Sequence, residues 1–196
     1  MTKELQTKEK LPPGDFGIWI IVYVELITFG LLFVGYAFAR RLDVALFNES
    51  QLLLDTRFGF VNTLILVTSS YFVVKALESI KIKAKKEASA LASKWLLFAM
   101  GLGLVFIVNK IIEFSQKSAQ GIDLSTNTFF MFYILLTAFH FLHMILGVVI
   151  LFNVRQNTKR GAYSYENYLG MQTGAIYWHL IDLLWIVLFA VIYIIR

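Results

Sequence analysis

Gly174-Ala-Ile-Tyr-Trp-His-Leu-Ile-Asp-Leu-Leu-Trp-Ile-Val-Leu-Phe-Ala-Val-Ile-Tyr-Ile-Ile195 is apolar from end to end except at His179 and Asp182. As a helix rising about 1.5 Å per residue it crosses a hydrocarbon core of about 30 Å. No water is present there to satisfy peptide groups, so a stretch of this kind reads as a helix that makes all its backbone hydrogen bonds internally. Four similar runs precede it, at 17–39, 58–79, 92–114 and 127–152. The expected fold is therefore all-α, an integral membrane bundle of five transmembrane helices.

Composition agrees. Of 196 residues, 58% are hydrophobic and 16% charged, with a mean hydropathy of +0.69, whereas soluble domains carry about a quarter charged residues. The absence of cysteine excludes disulfides, thiolate metal sites, a cysteine nucleophile and covalent haem attachment. The net charge of +5 sits in membrane-flanking segments, and no basic module for nucleic acid is visible.

Residues 1–16 read as a cytoplasmic tail and 17–196 as the transmembrane domain. Pro12-Pro13-Gly14-Asp15 punctuates the entry to the first span. No cleavable signal is evident, so that span is expected to direct insertion. The connections fall at 42–57, 81–94, 116–126 and 153–173, the second of them rich enough in Lys and Ala to carry a helix into water. One side holds Lys3, Lys8, Lys10, Lys81, Lys83, Lys85, Lys86, Lys94, Arg155, Lys159 and Arg160, and the other Arg40, Arg41, Arg57, Lys117 and Arg196. That excess predicts a cytoplasmic N-terminus and an external C-terminus, with membrane lipids drawn to the lysines. Trp19, Trp95, Tyr177, Trp178 and Tyr193 are read as an aromatic belt, and Gly30, Gly35, Gly101, Gly103 and Gly147 as close-approach points between helices.

Ionisable side chains are costly in lipid, about 2.5–3.5 kcal/mol at a helix centre, so those inside the spans carry the information: Glu25, Lys75, Lys110, Glu113, His140, His143, His179 and Asp182. Lys75 is placed to snorkel. Lys110 and Glu113, three apart, share a helix face and read as a self-neutralising pair. Glu25, His143 and Asp182 fall at similar depths, with Thr68, Ser69 and Ser70 level with them, so one polar layer across four helices is expected. Glu25 reads as a helix-locking acid, a proton-linked group or a lipid-headgroup acceptor. His140 and His143 share one face, and His179 with Asp182 another, the latter read as a carboxylate orienting an imidazole. Three histidines on two helices fall short of a zinc ligand set, so no metal or other cofactor is expected.

These residues resemble the heme-copper oxidase subunit III family over nearly the whole chain. Ala138-Phe-His-Phe-Leu-His-Met-Ile-Leu-Gly147 is similar to its His-x-x-His-x-x-x-Gly helix, and Tyr177-Trp-His-Leu-Ile-Asp-Leu-Leu-Trp-Ile186 to its Trp-His-x-x-Asp-x-x-Trp helix. The Glu25 span and Lys110-x-x-Glu113-Phe114 fall where the family also carries carboxylates. The resemblance is to the five-span bacterial forms, without the two extra spans of the mitochondrial type. It implies a non-catalytic subunit that partners the catalytic heme-copper subunit I, the haems and copper being held by subunits I and II. Pro13-Gly-Asp-Phe-Gly-Ile-Trp19, Glu25-Leu26, Ala39-Arg-Arg41 and Asn62-Thr-Leu-Ile-Leu-Val-Thr-Ser-Ser70 look most like the nitric oxide reductase-associated subgroup, with subunit III of a terminal quinol or cytochrome c oxidase as the alternative. An independent proton channel or transporter would rest on the polar layer. That reading lacks the internal repeats and broken helices usual for transporters. A membrane enzyme would need a nucleophile–base pair, and none is visible.

Overall fold

The computed structural model describes residues 12–82 and 85–196, with the side chains of 82, 85 and 86 outside that description. Among the basic residues counted above, Lys3, Lys8, Lys10 and Lys83 therefore lie outside the described residues, as do the side chains of Lys85 and Lys86. The elements in order are α1 (Phe16–Leu42), α2 (Val44–Leu52), α3 (Thr56–Ile82), α4 (Lys85–Ala119), α5 (Thr128–Lys159) and α6 (Leu169–Phe189), which runs on into a π-helical turn (Ala190–Ile194). Five of them, α1, α3, α4, α5 and α6, are long and apolar enough to cross a membrane.

Most helices outrun the apolar stretches that announce them. Hydropathy falls where lipid ends, but Lys, Ala and Gln are good helix formers and the backbone ladder continues into water. The helices stop where the backbone reverses. Gly121 (φ 73°) and Gly161 (φ 70°) adopt the left-handed conformation just beyond α4 and α5, the arrangement that ends helices at low steric cost.

The connection at 42–57 contains a helix that periodicity does not announce. Asp43 caps α2 by accepting from the Leu46 amide at 3.0 Å. Gln51, buried on α2, donates through Nε2 to the carbonyls of Ile192 (2.9 Å) and Ile195 (3.1 Å). Arg40 Nη1 reaches the Ile195 carbonyl at 2.8 Å. Terminal carbonyls of the last span are thus satisfied by side chains from α1 and α2. Asn127 ties the same end together, capping α5 through the Phe130 amide (2.9 Å) and donating to Ser50 Oγ (3.0 Å).

At the opposite end the entry to α1 is clipped to α6. The Gly14 amide meets Gln172 Oε1 at 3.4 Å and the Asp15 amide meets Thr173 Oγ1 at 3.1 Å. α1 and α6 therefore run parallel, and α3 runs antiparallel to both α4 and α6. α6 forms the centre of the bundle, with Trp178, Trp185 and Leu188 fully buried. The aromatic-belt expectation fails for Tyr177, Trp178 and Tyr193, which are 3%, 0% and 2% exposed. They are core residues because α6 is the helix the others surround. Trp178 enters a slot opened by two glycines. A β-carbon at Gly103 would lie 2.7 Å from its ring, and one at Gly147 would lie 3.2 Å from the ring and 2.9 Å from Ile181.

Candidate functional site

The ionisable residues inside the membrane resolve into three clusters, each at a helix contact.

The first joins α1 to α5. His143 Nδ1 lies 2.7 Å from the carbonyl of Phe139, one turn earlier. Only an N–H can satisfy a carbonyl, so Nδ1 carries a proton. His143 Nε2 stands 3.1 Å from Glu25 Oε1, and a contact between an imidazole nitrogen and a carboxyl oxygen needs one further proton. The pair is net neutral whether that proton resides on the ring or on the acid. The other oxygen, Glu25 Oε2, is buried without a partner among the described residues, as is the hydroxyl of Tyr177.

The second joins α3 to α6. Ser70 Oγ lies 2.7 Å from His179 Nδ1 and donates to Asp182 Oδ2. The direct orientation of His179 by Asp182 expected from their spacing is thus replaced by a relay through a serine of another helix. Residues three apart on a helix diverge by about 60°, and Ser70 from the neighbouring helix fills the angle. Among the described residues Asp182 Oδ1 is buried without a partner.

The third is internal to the half of the bundle that holds the C-terminal end of α6. Lys110 is fully buried, with Nζ 2.8 Å from Glu113 Oε2 and 3.3 Å from the hydroxyl of Tyr193. Glu113 Oε1 accepts from Tyr133 (2.6 Å) and Tyr193 (2.5 Å). The ammonium also lies 4.9 Å from the ring centre of Phe114 and 5.3 Å from that of Trp185. A buried ion pair survives only when its remaining donors and acceptors are matched, and this one is enclosed by hydroxyls and aromatic faces. The two tyrosines are not evident from sequence, because Tyr133 sits in an apolar run and the π-helical turn alters the register that brings Tyr193 inward.

The expected single polar layer is therefore divided. Glu25 meets His143 and Asp182 meets Ser70, while Ser69 donates to the Ala99 carbonyl (2.9 Å) and Thr68 to Leu64 of its own helix (2.7 Å). His140 does not act with His143. It is fully buried, donates through Nε2 to the Ile181 carbonyl at 3.2 Å, and packs between Phe106 and Trp185. Lys75 pairs with Glu78 at 2.9 Å near the end of α3. Among the described residues no group of three or more His, Asp or Glu side chains is placed to share a metal ion. Between the first turns of α4 and the end of α5, a cavity of about 610 Å³ is lined by Lys94, Arg155, Lys159 and Arg160.

Residues 15–196 match the family model described as cytochrome c oxidase subunit III. The chain is 29% identical over 182 residues to cytochrome c oxidase subunit 3 of Thermostichus vulcanus, covering 91% of this chain and 85% of that one. It is 25% identical over 184 residues to cytochrome bo(3) ubiquinol oxidase subunit 3 of Buchnera aphidicola, covering 91% and 84%. With the probable quinol oxidase subunit 3 of Staphylococcus epidermidis the identity is 29% over 190 residues, covering 93% and 89%. The match takes in all five spans and the three clusters together, and on that ground this chain, a multi-pass membrane protein, belongs to the cytochrome c oxidase subunit III family.

Proposed function

We propose that this chain is subunit III of a bacterial terminal oxidase, a subunit without chemistry of its own that supports a catalytic heme-copper subunit in the inner membrane. The observation that carries this reading is the full-length similarity to subunits of both cytochrome c and quinol oxidases. It is supported by the way each cluster links helices to one another. The nitric oxide reductase association suggested by residues 13–19, 25–26, 39–41 and 62–70 finds no counterpart among the named relatives, so the terminal oxidase is preferred. The electron donor, quinol or cytochrome c, is left open by relatives of both kinds. The basic side chains at the start of α4 and end of α5 favour the cytoplasmic side for that end, which supports a cytoplasmic N-terminal tail. Glu25, whose proton is shared with His143, is the group in this chain best suited to a proton-linked role or to meeting a lipid headgroup.

A tagged chain purified in mild detergent should carry a haem-containing catalytic subunit with it, and a deletion strain should lose part of its oxygen consumption while nitric oxide consumption is unchanged. Loss of nitric oxide consumption instead would favour the reductase association. No co-purifying haem protein together with unchanged respiration would defeat both.

A further inference from the structure

The seam between α3 and α6 carries a polar group where a lipid-facing surface has no use for one. His179 lies near the middle of the last span, about 15 Å along α6 from its start, and its ring is partly exposed. Nδ1 is engaged by Ser70, whereas Nε2 makes no hydrogen bond among the described residues. On α6, His179 shares a face with Leu183 (53% exposed), Ile186 (43%) and Val187 (40%), while Ile181, Leu184, Trp185 and Leu188 on the other side are buried. On α3 the exposed residues Val67 and Tyr71 flank Ser70 on one side, and buried Ser69 and Val73 lie on the other. The seam is thus an open apolar surface with one imidazole nitrogen at mid-depth. Acyl chains offer that nitrogen nothing, and ionisable side chains at this depth face protein or water rather than lipid.

We propose that this seam is where the catalytic subunit seats a transmembrane helix, with His179 Nε2 accepting a hydrogen bond from a donor side chain (hydroxyl, amide or indole) on that helix. The polarity follows from the relay. With Asp182 ionised, Ser70 gives its one proton to Asp182, its oxygen takes the proton of His179 Nδ1, and the neutral ring presents Nε2 as an acceptor. Asp182 and Ser70 are therefore positioning residues that set the tautomer, and the partner must donate. The proposal rests on the accessory-subunit reading above and adds the face and the chemistry of contact.

The test uses the full chain in native membranes, with a photo-crosslinking residue placed singly at Val67, Leu183, Val105 (exposed on α4) or Leu142 (exposed on α5). Crosslinks to the haem-containing subunit are expected from 67 and 183 and not from 105 or 142. His179→Ala should weaken retention of that subunit on purification about three- to twenty-fold, the range of single membrane hydrogen bonds. His179→Gln, whose carbonyl can accept, should restore part of it, and the isolated His179→Ala chain should lose no more melting temperature in detergent than Ser70→Ala, which breaks the same hydrogen bond between α3 and α6. Crosslinks confined to 105 or 142, or full retention with His179→Ala, would overturn the seam while leaving the accessory role standing. No crosslink to a haem subunit from any position would overturn the accessory role and the seam with it.

Discussion

His143 Nε2 lies 3.1 Å from Glu25 Oε1, and this contact is the one ion-pairing link between α1 and the rest of the bundle among the described residues. α1 is otherwise held by apolar packing of Ile18, Val22, Phe29 and Tyr36 and by its two ends. A link that shares one proton between two helices should show coupling, because either single change strands its partner in a poorly hydrated setting.

For Glu25→Ala and His143→Ala, a double-mutant cycle followed by detergent unfolding should give a coupling energy of about 0.6–1.7 kcal/mol. Additive single effects would mean that the two groups do not share a proton. Glu25→Gln keeps a hydrogen-bonding side chain and should lose less than Glu25→Ala.

Lys110→Met should destabilise by about 3–5 kcal/mol, since it leaves the Glu113 carboxylate buried without a cation. Tyr193→Phe removes one of several donors to that carboxylate and should cost about 0.5–1.5 kcal/mol. Chemical unfolding in detergent separates the two, and equal losses would show that the pair is hydrated rather than sealed.

Two glycines a half-turn apart make opposite predictions. Gly103→Ala would push a methyl group to within 2.7 Å of Trp178 and should cost about 1–3 kcal/mol. Gly101→Ala meets nothing within 4 Å and should be neutral or stabilising by up to about 1 kcal/mol through helix propensity. If both alanines behave alike in a thermal-shift assay, the Trp178 slot is wrongly placed.

Asp123 lies in the loop between α4 and α5, accepting from the amide (2.8 Å) and hydroxyl (2.7 Å) of Ser125. The Ser125 hydrogen bonds hold its carboxyl below the ordinary value of 3.8. A depressed folded value means that the loop's extra order is fully present above the ordinary aspartate range and lost as pH falls through the lower value. Hydrogen exchange at the Ser125 amide should therefore stay slow through mildly acidic pH and accelerate only below that range, and Asp123→Ala should abolish the protection at every pH.

Sequence alone announced what the lipid enforces. A bilayer admits helices of a certain length, so five apolar runs fixed the number of spans, and each buried ionisable residue stood out because it is costly there. Lys110 and Glu113 were legible as a pair because three residues on one helix is a local distance. Long-range partners were not legible. That Ser70 rather than His179 meets Asp182, that Glu25 meets His143, and that Tyr133 and Tyr193 close over Glu113 depend on helix rotation and on a π-helical turn at 190–194. Neither leaves a periodic trace in hydropathy. α2 was missed for a related reason, as a short helix of mixed polarity whose purpose is to cap another element's carbonyls.

The sequence by itself therefore determined the spans, the residues charged with an energetic penalty, and the family. Tertiary structure decided which penalties cancel, because that depends on which faces of antiparallel neighbours meet. Lys110 and Glu113 are enclosed and satisfied, Glu25 and His143 share one proton, and among the described residues His179 Nε2 makes no hydrogen bond at the seam of α3 and α6.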